Sequence, residues 1–279
     1  MTSRITAAIA VAGALAVGGI GYFVGTNQNQ AAQAAENAPA AADASPVKMA
    51  EFSNDQRKEL EGIIRNYLIA NPEIIRDAIT ELQRRQDAAE KLAQTKIITD
   101  SADQIFASAH QVVLGNPDGK VTLVEFFDYN CTYCRRAEAD MKKLIADDSN
   151  LRIVLKQFPV LGPGSLEAAK VAVALHMTAP DKYAAFHDAL LGEPGQVNGQ
   201  KALAVAASVG VDPEALKGKI DSPEVKATIA ESYDLAGKLN LTGTPSYVTH
   251  NEVIVGAVGY DTLKAKIDAL ASACTTKDC

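Results

Sequence analysis

One stretch constrains this chain more than any other: KVTLVEFFDYNCTYCRRAEADM, residues 120–141. Its first part, residues 120–127, is a short run of β-branched and aromatic residues behind the turn signal GNPDG, and such a run reads as a buried strand. The segment RRAEADMKKLIADD then carries Ala137, Met141, Leu144 and Ile145 at helical spacing. Cys131 and Cys134 sit between the two, the first just past the strand end and the second in the first turn of the helix. A strand that feeds directly into a helix commits this part of the chain to an α/β arrangement.

The rest of the pattern agrees. LRIVLKQFPV reads as a second strand, and four helical segments follow: SLEAAKVAVALHM, DKYAAFHDALL, QKALAVAASVG and PEVKATIAESYDLAGKLNL. Strands return in SYVTH and EVIVGAV, and YDTLKAKIDALASA closes the chain as a helix. Strand–helix–strand, a helical insertion, a hairpin and a helix describe an α/β domain with a mixed sheet.

Backbone N–H groups at a helix start favour negative charge, so a thiolate at Cys131 gains what a thiol does not. Thiolate stabilisation lowers the thiol pKa and makes the corresponding disulfide oxidising. Three uses of the pair are open. A structural disulfide would close too small a loop to stabilise much. A zinc or copper site would combine Cys131 and Cys134 with Cys274 and Cys279, although ACTTKDC has a wider spacing. A redox pair fits a Cys-x-x-Cys between strand and helix.

Two further residues bear on that choice. Glu125 lies inside the apolar strand LVEFF; it either faces water at a sheet edge or is buried, where its pKa rises and it carries protons for Cys134. In TGTPSYV, Pro245 opens a strand, as a trans residue of an ordinary loop or as a cis bond that leaves a backbone edge free for an extended chain.

The N-terminal part has other business. Residues 5–25 carry no charge, enough to span a bilayer core of roughly 30 Å, and Arg4, with residues 26–47 free of Lys and Arg, sends the remainder outward. Residues 1–25 are expected to be a signal anchor, or a signal peptide cleaved near Ala32-Gln33-Ala34. Residues 26–52, rich in Ala, Gln and Asn, read as a flexible linker. Ser53 caps a helix carrying Leu60, Ile64, Tyr67 and Leu68, and Pro72 starts a second with Ile75, Ile79 and Leu82. Two such helices bury too little to form a core alone. They decorate the main domain or pair with copies of themselves as an oligomerisation stalk over residues 53–98.

VEFFDYNCTYC, KQFPVLGPGS and TGTPSYV, in this order, resemble the DsbA-type thiol–disulfide oxidoreductases of the bacterial cell envelope. The resemblance covers roughly residues 100–273 and implies a thioredoxin fold with an inserted helical subdomain at about 162–238. It implies a catalytic domain over residues 99–273, with Cys131 as nucleophile, Cys134 as resolving cysteine, Glu125 as buried acid and Pro245 as cis-proline after Thr244. The dipeptide Thr132-Tyr133 stands where strongly oxidising members carry Pro-His, and Thr244 where they carry Val, as isomerase branches do. Residues 54–82 resemble the N-terminal helices of suppressor-of-copper-sensitivity C (ScsC) proteins, some of which are trimeric isomerases.

The resemblance implies a periplasmic enzyme, anchored by residues 5–25 or soluble after cleavage, that exchanges disulfides and leans to isomerase or reductase. The alternatives are a dithiol oxidase and a copper-binding or holdase protein. Its substrates would be envelope proteins with cysteines. A membrane partner would be a reductase for an isomerase and a quinone-linked oxidase for an oxidase. A homo-oligomer is expected, a trimer being one form open to it, with no cofactor and no resident metal. The tail 274–279 lies beyond the resemblance; Cys274 and Cys279 read as a local disulfide, or as a regulatory or copper-binding pair. The net charge of −7, without a basic tract, argues against nucleic acid. The histidines His110, His176, His187 and His250 fall in no ligand spacing, and His176 and His187 read as ordinary helix residues.

Overall fold

The computed structural model describes residues 52–109 and 111–273. The expected signal or anchor segment, the linker apart from Phe52, His110, and the tail with Cys274 and Cys279 lie outside the described residues. No helix among the described residues is long and apolar enough to cross a membrane.

The chain divides into units 1–72 and 73–279. In the first, α1 (Asn54–Ala70) starts at a capping box: Ser53 Oγ accepts from the Gln56 N–H, and the Ser53 N–H donates to Gln56 Oε1. None of its residues is buried, and Leu60, Ile63, Ile64, Tyr67 and Ile69 face solvent.

The second unit begins with α2 (Glu73–Asp100), one residue after Pro72. It runs through the polar QRRQDAAEKLAQTK stretch, where Glu81 pairs with Arg84 and Arg85. At its end Ile98, 1% exposed, enters the core, followed by Ile105 and Phe106 of α3 (Ala102–Phe106).

The sheet is β1 (Val112–Gly115), β2 (Val121–Phe127), β3 (Leu151–Gln157), β4 (Ser246–Val248) and β5 (Val253–Val255), in the order β1-β3-β2-β4-β5. β2 and β3 are parallel, joined by α4 (Thr132–Asp147); β1, β4 and β5 pair antiparallel to their neighbours. Four-residue β1 is an edge strand that the sequence pattern had not announced. It ends at Gly115, whose φ of +74° a side chain would disfavour and where a Cβ would lie 2.6 Å from the Leu151 carbonyl oxygen.

Central β2 is covered on both faces, which explains why it reads as one apolar run. Val124 and Phe126 face α2, α3 and the end of α9 (Pro223–Lys238), with Val154, Leu235 and Leu239 in the same cluster. Leu123 and Phe127 face α4 and α10 (Tyr260–Ala273), with Met141, Leu144, Tyr247 and Ile267. A wholly buried side chain such as Phe126 contributes about 2 kcal/mol.

Between β3 and β4 lie α5 (Pro163–Thr178), a 3-10 turn (Pro180–Lys182), α6 (Tyr183–Gly192), α7 (Gly199–Ser208), α8 (Pro213–Lys217) and α9. α5 is apolar around most of its surface because it is the central helix of this insertion: Val171 and Leu175 pack into the main core, while Ala169 and Val173 meet Val225 and Ile229 of α9.

Candidate active site

Cys131 is the N-cap of α4, with extended backbone (φ −78°, ψ 117°) and its N–H bonded to the Asp128 carbonyl at 3.0 Å. Cys134 lies in the first turn, and both cysteines are buried free thiols. The loop before them is clamped from outside. Buried Asp128 accepts from the Asn130 N–H through Oδ1 and from the Leu161 N–H through Oδ2, at 2.8 and 2.9 Å. Asn130 donates to Ser165 Oγ and the Val197 carbonyl, and accepts from the Val197 N–H at 2.7 Å. Arg135 donates to the carbonyls of Tyr129, Glu193 and Gly195. The helical insertion thereby holds the strand-to-helix corner that presents Cys131. Asp128, Asn130 and Arg135 went unremarked in the sequence reading; the two polar residues on either side of Tyr129 in FFDYNC were the only signal available.

The peptide Thr244–Pro245 is cis. Its loop brings Thr244 to the cysteine: the Cys131 thiol donates to the Thr244 carbonyl at 3.1 Å. Hydrogen bonding from Cys134, then from the Thr244 side chain and the N–H groups of Cys134 and Tyr133, holds the Cys131 thiol down at about 5 against an opposing effect of burial. Cys134 moves the other way: its hydrogen bond to Cys131, burial and the nearby Glu125 push its thiol up. One cysteine is thus set as a nucleophile and the other as a protonated reserve. The intervening Thr132 and Tyr133 are exposed, and the Tyr133 ring is 57% exposed under the Arg136 guanidinium at 4.5 Å.

Glu125 is buried rather than at a wet edge. It alternates with Leu123 and Phe127 on the face covered by α4, and lies opposite Tyr247 in register. Burial, then Glu138 and Cys131, push its carboxyl up to about 8, so that it holds a proton at neutral pH. The Tyr247 hydroxyl is buried without a hydrogen-bond partner.

His187, read from sequence as an ordinary helix residue, is 2% exposed and belongs to a buried polar cluster. Its Nδ1 is 3.1 Å from the Tyr129 hydroxyl, which is 3.2 Å from that of Tyr183, and its Nε2 is 3.5 Å from Glu138. His250 stacks on Phe106, with ring centroids 3.9 Å apart. No group of three His, Cys, Asp or Glu among the described residues could hold a metal ion, and two of the four thiolates of the suggested metal set lie outside those residues.

A cysteine pair at a strand-to-helix corner, a cis peptide facing it and a buried acid behind it form one constellation. Residues 122–268 match the DSBA-like thioredoxin domain family. The chain belongs to that family. Residues 56–89 also match the copper resistance protein ScsC N-terminal domain. A thioredoxin-like oxidoreductase from Silicibacter pomeroyi is 44% identical, with a TM-score of 0.59 over 62% of this chain and 98% of that one. ScsC of Proteus mirabilis in a transitional conformation is 27% identical, with a TM-score of 0.60 over 81% of this chain and 99% of that one. Disulfide bond formation protein D of Bacillus subtilis is 27% identical over 57% of this chain and 76% of its own length. As a DSBA-like protein the chain is a thiol–disulfide oxidoreductase with a thioredoxin fold, a helical insertion and N-terminal helices.

Proposed function

We propose that this chain is a disulfide isomerase or reductase of the bacterial periplasm, acting on envelope proteins with cysteines. The observation that carries thiol exchange is the placement of Cys131, a thiol at a helix start 3.1 Å from the Thr244 carbonyl and beside cis Pro245. The Cys131 thiolate attacks a substrate disulfide, forming a mixed disulfide and releasing one substrate thiolate. Cys134 then loses its proton, with Glu125 as acceptor, and its sulfur attacks Cys131 Sγ. That step closes the Cys131–Cys134 bond and expels the second substrate thiolate. The edge at Thr244 and Pro245 pairs with the extended substrate chain, and Tyr133 with Thr132 contacts it.

The helices support the isomerase direction. Leu60, Ile63, Ile64 and Tyr67 on α1, and Ile75, Ile79 and Leu82 on α2, are exposed apolar residues at helical spacings. Further copies of the chain, as in a trimer, cover them. Assembly holds several catalytic domains around one substrate and keeps an oxidising membrane partner away, while a membrane reductase keeps Cys131 and Cys134 as thiols. The location is supported by a likeness to a periplasmic thioredoxin-like protein of Salmonella enterica, 26% identical with a TM-score of 0.57.

The same low Cys131 pKa also supports a dithiol oxidase, because a stabilised thiolate makes the disulfide oxidising. Recovery of scrambled-disulfide ribonuclease by residues 35–279, compared with a version lacking 35–98, tests the two readings. An isomerase restores activity and loses that ability with the helices. Rapid oxidation of reduced ribonuclease with little recovery of the scrambled form contradicts the isomerase and favours the oxidase.

A further inference from the structure

At the end of the sheet opposite Cys131, a cavity of about 600 Å³ opens where β2 and β3 begin. It lies between α3, the turn that leads into β2, the first residues of the two strands and His250 of the β4–β5 turn. Thr122 in its wall is roughly 17 Å back along β2 from Phe127, the last residue of that strand, so the cavity is remote from the thiols. Thr122 and Arg152 are paired in register, and both stand on the face that carries Val124 and Val154. Ile105 and Phe106 of α3 cover that face farther along, but α3 is only five residues long and leaves the strand starts open.

The floor of the cavity offers donors without an acid. Thr122 is 6% exposed and makes no side-chain hydrogen bond among the described residues. Arg152 is half-buried, and its Nη1 donates to the Phe106 carbonyl at 2.9 Å. It has no ion pair among the described residues, and burial lowers its pKa with no carboxylate opposing the shift. A guanidinium taken from water is ordinarily paired, and its remaining N–H groups match the two oxygens of a carboxylate. The rim differs from the floor. Lys120, Asp103 and Asp118 are exposed there, and none of them joins an ion pair among the described residues. Phe106, with the His250 ring stacked on it, and Pro117 add an apolar wall.

We propose that this cavity binds a small zwitterion of the amino-acid class, at a site separate from the thiols. The ligand carboxylate lies on Arg152 and Thr122, its ammonium group faces Asp103 and Asp118, and an apolar side chain rests against Phe106 and Pro117. A phosphate dianion fits less well, because its second negative charge would stand against the two rim carboxylates. The assignment does not depend on the direction of thiol exchange.

Calorimetric titration of the protein with L-phenylalanine, hydrocinnamate, phenethylamine and inorganic phosphate tests the site. L-Phenylalanine should bind one per chain. Phenethylamine lacks the carboxylate and should bind about tenfold more weakly. Hydrocinnamate lacks the ammonium group and should bind about threefold more weakly. Arg152→Gln should weaken phenylalanine binding about tenfold and the near-isosteric Thr122→Val about fivefold. Thr122→Val keeps Arg152 against the Phe106 carbonyl, so it reads the site even if Arg152→Gln does not fold. Asp103→Asn combined with Asp118→Asn should abolish the preference for phenylalanine over hydrocinnamate. Failure of phenylalanine to bind, equal binding of phenethylamine, tighter binding of phosphate, or unchanged binding by Thr122→Val would overturn the proposal. Each of those results leaves the thiol-exchange reading standing.

Discussion

The Cys131 thiol meets the Thr244 carbonyl at 3.1 Å, so the reactive sulfur and the peptide before cis Pro245 form one surface. Thr244 acts there through its side chain as well, as one of the donors that hold the Cys131 thiol at about 5. Thiolate absorbance of the reduced protein should therefore rise with a midpoint near pH 5. Thr244→Val removes a donor, and Cys134→Ala removes the largest one. Both move the midpoint upward, the second by more.

The same ionisation links redox state to stability. The folded-state value of Cys131 is depressed from 9.0 to about 5, so its contribution is fully present above the ordinary thiol value and is lost as pH falls through 5. The disulfide form lacks this group. Between pH 9 and pH 5 the urea midpoint of the reduced protein should fall relative to that of the oxidised protein. A constant gap between the two midpoints would contradict the assignment.

Glu125 carries the opposite sign. Its folded value is raised from 4.5 to about 8, so stability is present below the ordinary carboxyl value and declines as pH rises through 8. Glu125→Gln should match the parent near pH 4 and exceed it by roughly 5 kcal/mol at pH 9, read by urea unfolding. The same variant should slow closure of the Cys131–Cys134 bond from a Cys131 mixed disulfide by roughly 100-fold, because the acceptor for the Cys134 proton is gone.

Lys156 tests the packing of the insertion against the sheet. It is 3% exposed, and its Nζ donates to Glu231 at 2.8 Å and to the Gln104 carbonyl at 2.6 Å. Burial lowers its pKa, and Glu231 opposes that shift. Glu231→Ala leaves the cation without its charged partner and should cost about 3 kcal/mol in unfolding free energy. The Lys156→Met, Glu231→Leu pair should recover most of that loss. Cys131 alkylation should be unchanged in both.

What was legible in the sequence was what is local. β2, α4 and the cysteine corner follow from neighbouring residues, and TGTP marks the loop of Thr244 and Pro245. The edge strand β1 escaped notice because four residues beside a turn carry too little periodicity. Nothing in LRIVLKQ marks Lys156 as buried, yet α9 brings Glu231 over it. Glu138 and His187 look like polar residues on two unrelated helices. Only the packing of α4 against α6 makes them neighbours, and no pattern along the chain encodes that contact.

The most direct test of thiol exchange at Cys131 is a trapping measurement. Cys134→Ser, incubated with an oxidised cysteine-containing peptide and quenched in acid, should carry one peptide per chain by mass spectrometry. Digestion should locate the mixed disulfide at Cys131, and Cys131→Ser should carry none. A Cys134→Ser protein that forms no adduct, or an adduct that maps to Cys274 or Cys279 while Cys131 stays free, would contradict the account.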